Sequence, residues 1–258
     1  MELNYKSFGS GPALIILHGL FGSLDNWQTL ARQFGEHFSV FILDQRNHGK
    51  SPHSVETFTY PLLAEDLYEF MDSHAIYEAH LLGHSMGGKT VMQFAAAHED
   101  MIDKLVVADM GIRQNERHHD IVLETLATIP FAEIHSRKEA DAWMTTKIED
   151  FGVRQFLLKN LARDPKGPHE YRWKFNFDVL NRDYENILAA VDADYAMQVP
   201  TLFVRGGNSD YVKDEHFEDM QIMFPNAQLD TVEGAGHWLH AEKPVLFYEK
   251  VLSFLLAD

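Results

Sequence analysis

The stretch LLGHSMGGKT, residues 81–90, leads an apolar run, Leu81 and Leu82, into a Gly-x-Ser-x-Gly pentad of Gly83, Ser85 and Gly87, with Gly88 directly behind. The amphipathic run KTVMQFAAAHE follows. In a strand–turn–helix context such glycines let the chain turn sharply and keep Cβ atoms off neighbouring strands. The serine is then strained and exposed at a helix N-terminus. The pentad alone also fits an ordinary glycine-rich turn. Its flanks favour a nucleophile, and a nucleophile requires a base, an acid and an oxyanion hole from elsewhere in the chain.

Outward from this turn, short apolar runs at 13–17, 40–43, 79–82, 105–108, 201–204 and 228–232 predict strands. Most are continuously apolar, as expected of strands covered on both faces of a parallel sheet. Helical patterns lie between them at 25–34, 60–73, 85–98, 213–224 and 241–256. The alternation predicts an α/β protein, a mostly parallel sheet with helices on both faces. Ligands of such sheets bind beyond the C-terminal strand ends. One interval, from Asp109 to Thr201, runs for roughly 90 residues, far more than one crossover helix needs. Its segments HDIVLETLATI, EADAWMTTKIEDFGV and RQFLLKNLA predict a helical cap over 112–190, inserted into a core of 1–111 and 191–258. No Gly/Ser-rich linker or repeat interrupts it, so the cap is expected to pack on the core.

A chain of 258 residues accommodates one such domain with its insertion. The formal net charge of −17, from 39 acids against 22 bases, argues against nucleic acid or an anionic membrane as main partner. A small-molecule ligand is expected instead. The absence of cysteine excludes disulfides, thiolate metal sites and cysteine nucleophiles, and suits a reducing cytoplasm. The start, MELNYKSFGSGPALIILHG, has neither a basic n-region nor a long apolar h-region, so no signal peptide is expected. No apolar run approaches 18 residues, so no membrane insertion is expected. The oligomeric state is left open.

The base is sought in EGAGHWLHAEKP, 233–244, where small residues let a loop swing His237 over the sheet edge. It must come within about 3 Å of the serine hydroxyl. His240 competes but sits in the helix that follows. The pair lacks an HExxH pattern or a carboxylate at ligand spacing, so no metal is expected. His53, His74, His118, His119 and His135 read as solvated. For the oxyanion hole, the Met86 N–H stands at a helix N-terminus, where the dipole favours negative charge. A second N–H is expected from LHGLFGS, 17–23, at Leu20 with Phe21 in reserve. The acid has two candidates at strand ends, Asp109 in LVVAD and Asp210 in RGGNSDYV.

The words ILHGLFGSLDNW, DQRNHGKS, LLGHSMGGKTVMQFA, RGGNSDYV and GAGHWLHAEKP occur in this order across nearly the whole chain. The sequence resembles an α/β-hydrolase-fold serine esterase. Within that superfamily it is similar to the small bacterial acyl-CoA esterase/thioesterase group related to the mitochondrial abhydrolase-domain proteins. The resemblance implies a carboxylesterase or acyl-CoA thioesterase that uses no cofactor. In most members of the fold the acid stands three residues after a glycine in the loop beyond strand 201–204, which from Gly206 falls on Ser209. The subgroup has serine there and takes its acid from the preceding strand. The resemblance therefore favours a triad of Ser85, His237 and Asp109, with Asp210 as the alternative acid and Ser209 bonding near the His–Asp pair. The same triad also serves C–C bond hydrolysis and perhydrolysis, and some members of the fold bind ligands without catalysis.

Three further groups stand out. Arg46, Asn47 and His48 in DQRNHGKS read as a scaffold network. Phe131, Trp143, Phe151, Phe156, Leu157 and Trp173 are candidates to line an acyl pocket, although their helical spacing equally fits plain core. Arg113, Arg117, His118, His119 and Arg172 are basic points for a coenzyme A phosphate, or else ordinary solvated charges.

Overall fold

A computed structural model describes residues 1–257. The strands are β1 (Tyr5–Phe8), β2 (Ala13–Leu17), β3 (Ser39–Leu43), β4 (Ala79–His84), β5 (Ile102–Ala108), β6 (Leu161–Arg163), β7 (Tyr171–Trp173), β8 (Thr201–Gly206) and β9 (Ala227–Val232). Seven of them form one sheet in the order β1-β3-β2-β4-β5-β8-β9, parallel except for β1. This is the architecture expected from the apolar runs. The strand that periodicity misses is β1, whose residues YKSF are mostly exposed because it is an edge strand paired only to β3. A charged residue such as Lys6 on such an edge discourages pairing with another chain.

The helices are α1 (Gln28–Phe34), α2 (Tyr60–Ser73), α3 (Met86–His98), α4 (Asp120–Thr128), α5 (Arg137–Thr145), α6 (Phe151–Lys159), α7 (Phe177–Arg182), α8 (Tyr184–Leu188), α9 (Phe217–Met223), α10 (Leu239–Glu242) and α11 (Pro244–Leu256). Alternate strand residues serve opposite layers. Leu14, Ile16, Leu82 and Val106 pack with Phe34 of α1 and Phe247 of α11. Ile15, Leu81 and Val107 pack with Leu67 of α2 and Phe94 of α3. Predicted helices 25–34 and 213–224 open instead with 3-10 turns at Leu24–Asn26 and Asp214–His216. Predicted helix 241–256 divides into α10 and α11 at Pro244. The proline keeps Lys243 out of the helical region, at φ −133° and ψ 58°.

Helices α4 to α8 lie between β5 and β8, together with an unexpected hairpin of β6 and β7. Pro165, Gly167 and Pro168 break the helical pattern there, and the flanking residues pair as strands. The segment's own core, including Leu123, Leu126, Trp173 and Leu180, is continuous with Phe58, Tyr60 and Met86. Its two ends run together. The Val191 N–H donates to Ile112 O at 2.8 Å, and the Asn115 N–H donates to Leu188 O at 2.8 Å. Lys89 of α3, fully buried, donates to Arg113 O at 2.9 Å, to Leu188 O at 3.0 Å and to Ala189 O. Burial pushes its ammonium pKa down to about 7. The three carbonyls supply what a buried cation needs in place of water, and they tie both ends of the segment to α3. Among the described residues, no helix is long and apolar enough to cross a membrane.

Candidate active site

The parallel strands end side by side. Leu17 is level with Gly83, His84 with Ala108, Ala108 with Val204, and Gly206 with Val232. The loops that leave these strands therefore open onto one edge, and they carry every residue expected at the site.

Ser85 sits between β4 and α3 at φ 54° and ψ −120°, a conformation that L-residues rarely adopt. The pentad glycines make the turn sterically possible. A Cβ at Gly83 would collide with the Gly87 carbonyl, and one at Gly87 would lie 2.5 Å from Leu17 O. His237 Nε2 is 3.0 Å from Ser85 Oγ, and His237 Nδ1 is 2.7 Å from Asp109 Oδ2. A carboxylate only accepts, so Nδ1 carries the proton and the Nε2 lone pair faces the serine hydroxyl. Asp109 is fully buried, with φ 48°, and three donors offset its lost hydration. These are the His237 ring, the Gly206 N–H at 3.0 Å and the Ser209 hydroxyl. Asp210 is exposed and makes no hydrogen bond to His237, because the chain turns outward one residue past Ser209.

Neither the Leu20 nor the Met86 N–H donates to a protein acceptor among the described residues. Phe21, the reserve, has its N–H bonded to His48 Nε2 at 3.3 Å. The loop behind them is fixed by side chains that the motifs do not reveal. His18 donates from Nδ1 to Gly19 O at 2.8 Å and accepts the Gln45 N–H at Nε2, at 3.1 Å. Gln45 in turn donates to His18 O at 2.7 Å and accepts from Thr90 Oγ1 at 2.9 Å. Arg46 is paired with buried Asp66 and with Glu56, and Asn47 Oδ1 accepts the Ser54 N–H at 2.8 Å. Arg46, Asn47 and His48 thus form scaffold, as expected.

Several histidines around the site are buried and neutral. Burial lowers His18, and lowers His48 and His84 well below the usual imidazole value. Burial also pushes His119 and His240 down to about 3. His84 donates from Nε2 to the His237 carbonyl at 2.8 Å and so pins the loop that carries His237. His240 stacks on Trp27 with centroids 4.3 Å apart, away from Ser85. Unfolding lets these rings take up protons below pH 6.5 that the folded state refuses. Their contribution to stability is therefore complete above pH 6.5 and declines as pH falls toward about 3. His119 and His240 should each cost roughly 1.4 kcal/mol per pH unit across that window. Thermal melts from pH 7 to pH 4.5 are expected to show a steadily falling midpoint, and a flat profile would contradict their neutral burial.

Two cavities meet beside Ser85 and His237. A small apolar one of about 20 Å³ lies beside Ser85, lined by Leu20, Met86, Met110, Tyr184, Ile187 and Leu188 among others. An open polar cleft of about 700 Å³ reaches His237, with Arg113, Asn208, Asp210, Lys213 and His216 on its walls. None of the six side chains expected for an acyl pocket lines the small cavity. Trp173 and Leu157 are consumed by the segment's own core, Phe156 packs on Trp238, and Phe151 is exposed. The apolar lining comes instead from Leu20, Tyr60, Met86 and Met110 and from Tyr184, Ile187 and Leu188 of α8. Arg113, Arg117 and Arg172 face Asp219, Asp120 with Glu185, and Asp164. His118, which stays exposed as expected, and the half-buried His119 both border the small cavity.

Residues 12–244 match the family described as alpha/beta hydrolase fold. The chain belongs to that family. It is 38% identical over 232 residues to esterase YbfF of Escherichia coli (strain K12), which covers 90% of this chain and 88% of the relative. It is 37% identical over 252 residues to the Mus musculus sn-1-specific diacylglycerol lipase ABHD11, covering 95% and 81%. The solved structure of a marine microorganism esterase superposes with a TM-score of 0.94 at 41% identity, over 98% of this chain and 99% of that one. These relatives are ester hydrolases, and this hydrolase stands among them in the esterase and lipase branch of the family.

Proposed function

We propose that the chain is a serine hydrolase of small carboxylic esters, including acyl-CoA thioesters, acting through an acyl-Ser85 intermediate. The observation that carries this reading is the unbroken line from Asp109 through His237 to Ser85, at 2.7 and 3.0 Å, beside two unengaged N–H groups. Ser85 Oγ attacks the carbonyl carbon as His237 Nε2 takes its proton. Asp109 holds the imidazole in the required tautomer and stabilises the imidazolium. The negative charge that develops on the carbonyl oxygen is met by the Leu20 and Met86 N–H groups. Collapse of the tetrahedral adduct expels the alcohol or thiol, which receives the proton from His237. Water, activated by the same imidazole, then releases the acid and restores Ser85. The chemistry needs no metal or organic cofactor.

The small apolar cavity suits a short acyl group, and the open polar cleft suits a larger polar leaving group. Residues 112–190 act as the cap over a core of 1–111 and 191–258. A cysteine-free chain suits a reducing cytoplasm, the location proposed. The names of the relatives support esters as the substrate class. A panel of p-nitrophenyl esters and acyl-CoAs of increasing chain length, with intact-protein mass taken during turnover, tests the reading. Short-chain substrates are expected to turn over fastest, with an acyl mass increment lost in the Ser85→Ala variant. Absence of turnover on every ester and thioester would overturn it.

A further inference from the structure

We propose that Tyr211 is a positioning residue for the base: its ring packs flat on the His237 imidazole while its hydroxyl is held by His118 and His119, so the seating of segment 112–190 sets the orientation of the base. The inference rests on the reading of His237 as general base.

The two rings are 3.9 Å apart between centroids and inclined by 14°. Asp109 tethers only Nδ1 and leaves the imidazole free to tilt about that bond. Tyr211 closes one face of the ring, while His84 approaches at 4.8 Å and a 41° tilt. An aromatic face also attracts the positive charge that His237 acquires when it takes the serine proton. Tyr211 reaches the acid as well, because its N–H donates to Ser209 Oγ at 3.3 Å, and the Ser209 hydroxyl donates to Asp109.

The hydroxyl side fixes the direction of a hydrogen-bonded chain. Glu116 O only accepts, so His118 donates to it from Nδ1, at 2.7 Å, and its Nε2 meets the Tyr211 hydroxyl. Tyr211 Oη then accepts from His119 Nε2–H at 3.3 Å. His119 Nδ1 accepts in turn from the Tyr184 hydroxyl at 2.6 Å. Every group has a consistent role. Glu116, His118, His119 and Tyr184 all belong to the segment between β5 and β8, so the tyrosine that faces the base is oriented from that segment.

The test measures kcat and KM on p-nitrophenyl acetate for Tyr211→Leu, Tyr211→Phe, His118→Ala and the Tyr211→Phe/His118→Ala pair. Leucine removes the stacking and is expected to lower kcat by about 10²-fold, the scale of a misplaced catalytic group, with KM within about twofold. Phenylalanine keeps the ring and its volume, and it is expected to recover most of that loss. The remaining deficit should be at least that of His118→Ala, because the hydroxyl also meets His119, and it should not deepen in the double variant. A raised KM at unchanged kcat in Tyr211→Leu overturns the inference, since the ring would then only line the substrate. Equal kcat losses for phenylalanine and leucine overturn it too. Labelling of the wild type at Ser85 by a fluorophosphonate, scored alongside, separates the two ideas. A wild type that does not label sinks the nucleophile reading itself, whereas one that labels while Tyr211→Leu keeps full kcat sinks only the role of Tyr211.

Discussion

Alanine at position 85 is expected to lower kcat for ester hydrolysis by about 10⁵–10⁶-fold, the scale of losing the nucleophile of a serine–histidine pair. The acceptor of the acyl group disappears, and His237 is left with no hydroxyl to deprotonate. Binding should survive, because Ser85 is only one of the residues lining the small cavity and is no part of the open cleft's lining. The fold should survive as well. Ser85 caps no helix through its side chain, and alanine carries the same Cβ at the same left-handed φ. Steady-state rates, a thermal melt and fluorophosphonate labelling read by intact mass together check this. One adduct on wild type and none on the variant is the expected pattern. A variant that retains even a hundredth of the wild-type kcat would remove Ser85 from the mechanism.

The second large effect is asymmetric. Asp109→Asn is expected to cost about 10⁴-fold in kcat, as losing the acid of a triad does, and Asp210→Asn less than about twofold. An amide at position 109 presents an NH₂ group or one neutral oxygen where His237 Nδ1–H, Gly206 N–H and Ser209 Oγ–H all seek an acceptor. If the NH₂ turns to His237, it demands a lone pair on Nδ1 and moves the ring proton to Nε2, facing the serine. Asp210 is exposed and bonds to no member of that group, so its amide removes only a charge on the cleft wall. Comparable modest losses at both positions, or the reverse order, would falsify the assignment of Asp109.

The two expectations draw on different kinds of information. Ser85 is legible in the sequence because its requirement is local: a sharp turn needs residues without Cβ atoms at fixed offsets, and Gly83 and Gly87 supply them. The parallel strands are legible for the same reason, since burial on both faces leaves an uninterrupted apolar run. His237, Leu20 and Met86 follow from loops at strand ends that a parallel sheet must bring to one edge. The family words sharpen these positions without being needed to find them.

The acid is different. Asp109 and Asp210 both stand at strand ends, and the residues alone leave the choice open. Register decides it. Ala108 of β5 lies level with Val204 of β8, and in the loops beyond them Ser209 bonds to Asp109 while Asp210 is exposed to water. The cavity wall is likewise a tertiary result. Helical spacing marks Trp173 and Leu157 as apolar without saying which apolar surface they meet, and they meet each other's neighbours in the inserted segment. Tyr211 lies in the word RGGNSDYV, but nothing in that word links it to His118 and His119, which lie about 90 residues away in the chain. What the sequence determines here is backbone conformation and the character of each face, because both depend on near neighbours and on side-chain periodicity. Which acid meets His237, what lines the cavity and what packs on the His237 ring are decided only when strands align and the segment seats on the core, because those contacts exist only between residues that packing brings together.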